Sequence, residues 1–203
     1  MSLAATLWQG NTSGAERILA HGFVRGLGAG SLPLRSFKRY VALDAYFLEA
    51  FARAYAYCLA NSTARDDLNE FADLIAGVLA ELKLHKSYAE RWQVDLGSVT
   101  PIAATRAYVD FLLETARRGD LGETIAAMTP CMRLYAFLGR SLSASQVAPR
   151  YADWVSAYAD PTFEALAARL ETLLDRHATD TRAVRTNYAR AMDLEYGFFD
   201  ANL

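Results

Sequence analysis

The sequence predicts an all-α chain, a single-domain bundle of about seven to eight helices. Three observations carry the prediction. Hydrophobic residues recur at three and four positions over long stretches, which is the period of amphipathic helices. Prolines number only five in 203 residues. No segment alternates strongly enough to make a strand.

Each element follows from its boundary signals. A first helix is expected to end near His21, and the following GFVRGLGAGSLP, with its glycines and a proline, reads as a structured loop. Pro33 suits a first helical turn and opens a long helix to about Leu59. Further helices are expected over Arg65 to Trp92, Pro101 to Arg118, Gly122 to Leu142, Ala148 to Tyr158, Pro161 to His177 and Asp180 to Phe199. The breaks between them, at Asn61-Ser-Thr, Gly97-Ser98, Arg118-Gly-Asp and Asp160-Pro, are short, and no linker-like tract or repeat divides the chain. Residues 4–203 therefore read as one domain, with Met1 to Leu3 set aside as a possible expression remnant because nothing in them continues a pattern.

Composition narrows the function. The chain is 53% hydrophobic, enough to build a sizeable core. Lys and Arg total 21 against 23 Asp and Glu, and no basic run is available to neutralise a phosphate backbone, which argues against nucleic-acid binding. The first ten residues lack the features of a secretory signal and no apolar stretch is long enough to span a membrane, so a cytoplasmic protein without membrane contact is expected. Two cysteines, Cys58 and Cys131, are too few for a disulfide framework. GxGxxG, P-loop, HExxH and GxSxG motifs are missing.

Three helices each place a reactive side chain inside an apolar stripe. After Pro33, the residues Phe37, Tyr40, Val41, Phe47, Leu48, Phe51 and Tyr55 project in one direction at about 100° per residue, with Asp44 at the centre. A carboxylate there must be compensated, by an interhelical ion pair, a buried hydroxyl or a pocket ligand. In the final helix, Val184, Tyr188, Ala191, Met192, Phe198 and Phe199 flank Glu195 in the same way. Two inward acids on different helices suggest a site with a pKa tuned for proton transfer. In the helix from Gly122, Cys131 is centred among Ala127, Met128, Leu134, Tyr135, Leu138 and Leu142. A buried cysteine is usually inert packing, but Pro130 just before it removes a backbone bond, and a kink there is expected to open Cys131 to a pocket.

Tyr108, Tyr135, Tyr151 and Tyr158 also fall on apolar faces, where a phenol needs a hydrogen-bond partner and offers a flat surface to a ring. Glu81 and His85 stand one helical turn apart and are the best metal candidate, although the last helix offers no histidine to complete a cluster. His21, read as lying at a helix C-terminus, is a candidate axial haem ligand, with a favourable interaction with the helix dipole as the simpler account.

These residues sit in a recognisable order. HGFVRGLGAGSLP followed by FKRYVALDAYFLEAFARAYA resembles the opening of TenA-type (thiaminase II) proteins. AYVDFLLETARRGD, MTPCMRLYAFLG, YADWVSAYADPTF and DLEYGFFD continue the resemblance through the chain. The resemblance implies a haem-oxygenase-like helical fold without haem or other cofactor, and a homotetramer. It further implies hydrolysis of thiamin or its degraded aminopyrimidine to hydroxymethylpyrimidine, in thiamin salvage. By motif, Cys131 is the expected nucleophile, Glu195 the proton donor and acceptor, and Asp44 the carboxylate that binds the pyrimidine and orients the thiol. Tyr108, Tyr135 and Tyr158 are expected to hydrogen-bond around the substrate, and Phe47 and Phe198 to stack on or wall in its ring. The chain departs from the usual pattern with Gly22 in place of proline, Ala29 in place of an acid and Phe199 in place of tryptophan. None of these removes a proposed catalytic group. The alternatives are an iron- or quinone-dependent oxidase of the same architecture, which would need Glu81 and His85 to converge with further ligands, and a non-catalytic binding or regulatory protein.

Overall fold

The helix that organises the molecule is built around small residues. It is the seventh of ten α-helices and one 3₁₀ turn found among the described residues, which in this computed structural model are 1–97, 99–144 and 147–203. In chain order the α-helices are α1 (Leu3–Gly10), α2 (Thr12–Leu19), α3 (Gly22–Ala29), α4 (Leu34–Asn61) and α5 (Arg65–Trp92). They continue with α6 (Ala103–Arg117), α7 (Leu121–Ser143), α8 (Ala152–Ala159), α9 (Pro161–His177) and α10 (Arg182–Asn202). The 3₁₀ turn, Pro149–Tyr151, leads into α8. No strand occurs among the described residues.

α7 packs against α4, α6, α8, α9 and α10, and most of its length is buried. Two glycines permit this approach. A Cβ at Gly122 would lie 2.7 Å from the carbonyl oxygen of His177, and one at Gly139 would lie 2.3 Å from the carbonyl carbon of Tyr158. Backbone therefore meets backbone at both ends of α7, and no side chain fits between. Asp120 caps the start of the helix, its Oδ1 accepting from the Glu123 N–H at 2.7 Å. The helix continues through Pro130.

The long α4 and α5 pair with each other, and α6 and α10 complete the walls around α7. The three predicted stripes all point inward: on α4 and α10 every named residue is buried, and on α7 all but Leu142, which is partly covered. The helix over Arg65 to Trp92 has the predicted bounds, and the others from Pro33 onward agree to within a few residues. Ser98 of the expected Gly97-Ser98 break lies outside the described residues.

The N-terminal third differs from expectation. The single first helix is two, divided at Asn11, whose side chain donates back to the Leu7 carbonyl at 2.8 Å. Ser2 caps α1 and Leu3 begins it. The segment read as a loop contains α3, and the described residues form ten α-helices instead of seven or eight. Three glycines inside α3 cost about 1 kcal/mol each relative to alanine. Burial of Phe23, Val24 and Leu27 outweighs this at about 1.5–3 kcal/mol apiece. Gly30, in the left-handed region at φ 68°, ends the helix. His21 is accordingly not at a helix C-terminus: it is the N-cap of α3, its Nδ1 accepting from the Phe23 N–H at 3.2 Å, while its Nε2 faces Asp200 at 3.4 Å. Both ring nitrogens are engaged within the chain, which removes the basis for reading it as an axial ligand.

Candidate active site

Five helices, α4, α5, α6, α7 and α10, deliver ionisable groups to one buried region, and α8 closes it with aromatic rings. Asp44 from α4 meets α5 first: its Oδ2 lies 2.7 Å from Nε2 of His85, with both side chains at most 5% exposed. The other imidazole nitrogen, Nδ1, lies 3.0 Å from the carbonyl oxygen of Glu81 and donates to it. Burial opposes a charge on His85, but the hydrogen bond to Asp44 and its charge outweigh that and raise the imidazole pKa. The acid that needed compensation thus has an interhelical partner.

His85 and Glu81 do not form the metal pair that their spacing suggested. The imidazole has no free nitrogen, and the Glu81 carboxyl turns the other way, its Oε1 accepting from the Tyr158 hydroxyl at 2.6 Å. Among the described residues no three His, Cys, Asp or Glu groups converge on a point suited to a metal ion. Burial is the main cause raising the Glu81 pKa, with the Asp44 charge adding to it, and His85 and the Tyr158 bond only partly offset this, leaving it at about 7.

Glu195 of α10 accepts from the Tyr108 hydroxyl of α6 at 2.8 Å, and the Cys131 thiol of α7 lies within hydrogen-bonding reach of the same carboxyl. Burial pushes the Glu195 carboxyl up to about 8 despite the two hydrogen bonds, and the Asp44 charge adds to the rise. Near neutral pH Glu195 is therefore mostly a carboxylic acid. Cys131 is 8% exposed and its pKa stands well above the ordinary thiol value, raised by burial and then by the surrounding acids Glu195, Glu81 and Asp44. The helix runs on through Pro130, and Cys131, which follows it, is buried.

Aromatic rings fill the remaining walls. Phe47 lies tilted against Tyr108 with ring centroids 4.5 Å apart and faces Phe198 at 6.4 Å. Tyr135 packs edge-on against Tyr158 at 4.8 Å. All eight residues expected to form the site, Asp44, Phe47, Tyr108, Cys131, Tyr135, Tyr158, Glu195 and Phe198, are buried. Tyr151 stands apart as structural, donating to the Leu32 carbonyl at 2.7 Å.

Sequence reasoning missed Tyr40 and Trp154. The Trp154 indole N–H donates to the Tyr40 hydroxyl at 3.2 Å, which donates to the Tyr135 hydroxyl at 3.4 Å and lies within hydrogen-bonding reach of Asp44. The available signal was the spacing of Tyr40, one turn before Asp44 on the same face.

The all-helical bundle about α7 is the fold of TenA proteins of known structure. Residues 8–203 match the TENA/THI-4/PQQC family, and the chain belongs to it. It is 31% identical to the aminopyrimidine aminohydrolase of Halalkalibacterium halodurans, over 98% of this chain and 95% of that protein. It is 34% identical to the mitochondrial bifunctional TH2 protein of Arabidopsis thaliana over 86% of this chain, and this matches only 33% of the longer plant protein. A crystal structure described as a TenA family transcription regulator, from Silicibacter sp. TM1040, superposes with a TM-score of 0.91 at 27% identity, covering 98% of this chain and 95% of that one.

Proposed function

We propose that this protein is a cysteine-dependent hydrolase. It releases hydroxymethylpyrimidine from 4-amino-5-aminomethyl-2-methylpyrimidine or from thiamin, in thiamin salvage. The observation that carries the reading is the Cys131 thiol within hydrogen-bonding reach of a buried Glu195 carboxyl, which Tyr108 holds at 2.8 Å beside the ring of Phe47. The family relationship and the aminopyrimidine aminohydrolase of H. halodurans support the substrate class.

In this reading the pyrimidine lies between Phe47 and Phe198, with the Asp44 carboxylate, held by His85, binding its polar edge. Glu195 gives its proton to a ring nitrogen while the Cys131 sulfur adds to a ring carbon and the thiol proton passes to Glu195. The carboxyl is thus an acid and a base in one step, and a thiol with a high resting pKa need not ionise beforehand. Loss of aromaticity then lets the group on the exocyclic methylene depart, water adds there, and the thiol leaves as the ring is restored. Tyr108 holds Glu195 through the cycle, and Tyr135 and Tyr158 line the substrate's edge. No cofactor enters these steps. Residues 4–203 act as one haem-oxygenase-like domain, working in the cytoplasm as a homotetramer. No helix among the described residues is long and apolar enough to cross a membrane.

The test is a chromatographic assay of hydroxymethylpyrimidine release from 4-amino-5-aminomethyl-2-methylpyrimidine and, separately, from thiamin. The unmodified protein is expected to turn over at least one of them, and Cys131→Ser to lower kcat by about a thousandfold or more. Failure of the unmodified protein on both substrates sinks the reading.

A further inference from the structure

A cavity about 270 Å³ in volume lies between α5, α8 and α9. Leu74, Val78, Leu84, Phe163 and Leu166 give it apolar walls, and its polar lining includes the Glu81 carboxyl and the Tyr158 hydroxyl bound to it. Met132, the neighbour of Cys131, lines it too. Tyr55 also borders it and is fully buried, yet its hydroxyl has no hydrogen-bond partner. Tyr158, which donates to Glu81, packs edge-on against Tyr135 at 4.8 Å, so the cavity and the buried site share this wall.

The mechanism above leaves Glu81 unused and leaves open how the departing group acquires its proton. We propose that the α5–α8–α9 cavity receives the leaving group, and that Glu81 is the general acid that meets an amine leaving group. The inference rests on the hydrolase reading. When the C–N bond to the exocyclic methylene breaks, nitrogen keeps the electron pair and takes the Glu81 proton, ammonia departs into the cavity, and Glu81 remains as a carboxylate. The water that then adds to the methylene carbon returns a proton to Glu81, so the cycle consumes one water and releases one ammonia. His85, the ring next to Asp44, eases the transient charge on Glu81 from the same helix.

Leaving groups differ in their need for this acid. An amine requires a proton to leave as ammonia, whereas the thiazolium of thiamin, or a trimethylammonium substituent, carries its positive charge already and leaves neutral without one. Glu81→Gln keeps the size of the side chain and its acceptor for Tyr158. Assayed by hydroxymethylpyrimidine release, it is expected to lower kcat for the aminomethylpyrimidine by roughly a hundredfold or more, the scale of general acid catalysis. The fall for thiamin, or for the trimethylammonium analogue if thiamin is a poor substrate, is expected to be less than about tenfold. Equal losses on both types of substrate mean that Glu81 is merely structural and overturn the proposal. If the unmodified protein turns over none of the three, the hydrolase reading itself has failed. Should Glu81→Gln not fold, Leu166→Trp carries the test. An indole filling the cavity is expected to slow the bulky leaving group more than ammonia, and an equal effect on the two places the leaving group elsewhere.

Discussion

His85 and Asp44, forty-one positions apart in sequence, meet Nε2 to Oδ2 at 2.7 Å in the interior of the bundle. Without the imidazole the carboxylate would be buried among phenyl rings and phenols, and removing one partner of such a pair typically costs about 3–5 kcal/mol. His85→Ala is expected to lose that much stability, read by urea denaturation, with His85→Gln losing less because an amide can still donate to Asp44. Wild-type stability in His85→Ala would show that the pair carries nothing.

The pH dependence of stability has a definite sign. His85, Glu81 and Glu195 all have folded pKa values above their ordinary ones of 6.5, 4.5 and 4.5. The folded state therefore binds these protons more tightly, and the stabilisation is complete below the ordinary values and lost as pH rises through the folded ones, about 7 for Glu81 and about 8 for Glu195. The unfolding free energy is expected to fall between pH 5.5 and 8.5, and the slope to flatten in Glu195→Gln. A rising slope in denaturant titrations across this range contradicts the assignment.

Tyr108 tunes Glu195. Its hydroxyl stabilises the carboxylate form, so Tyr108→Phe is expected to raise the Glu195 pKa further. A hydrogen bond to a charged group contributes about 1.5–3 kcal/mol, and one pKa unit is about 1.4 kcal/mol. The alkaline limb of the pH–rate profile is therefore expected to move up by about one to two units, with kcat reduced. An unmoved limb assigns that limb to another group.

Neither cysteine is expected to react readily in the resting protein. Burial holds Cys58 at about 12 and Cys131 well above the ordinary thiol value. Mass spectrometry after iodoacetamide treatment at pH 7.5 is expected to find both at least about tenfold slower to alkylate than free cysteine. Rapid labelling of Cys131 alone would mean that it is ionised before substrate binds.

Gly139→Ala tests the backbone contact between α7 and α8. The added methyl has nowhere to go, and overpacking of this kind costs about 1–3 kcal/mol or more. Displacing α8 also draws Tyr158 away from Glu81, so activity on the aminomethylpyrimidine is expected to fall along with the denaturation midpoint.

What was legible in the sequence was periodic. Asp44, Cys131 and Glu195 stood out because each interrupts an apolar stripe, and a stripe is a property of one helix, readable without knowing its neighbours. The pairing of Asp44 with His85 was not readable, because it depends on how α4 and α5 register against each other, and the four-residue spacing of Glu81 and His85 mimicked a ligand pair while their polar groups turn to different helices. The same limit explains α3. Its glycines signalled a break, and only the burial of Phe23, Val24 and Leu27 against other elements makes a helix there worthwhile. The loss of a proline at Gly22 and of an acid at Ala29 falls at the two ends of that helix, away from the buried acids.

The site also has a thermodynamic corollary. Its groups come from six helices separated by up to about 150 positions, Asp44 near one extreme and Glu195 near the other, and all lean on α7 or on a neighbour of α7. No local opening of one hairpin can release a single catalytic group while leaving the others arranged. Enzyme activity in this protein is therefore a property of the cooperative unit, and its loss on heating or in denaturant should trace the same curve as the loss of helix.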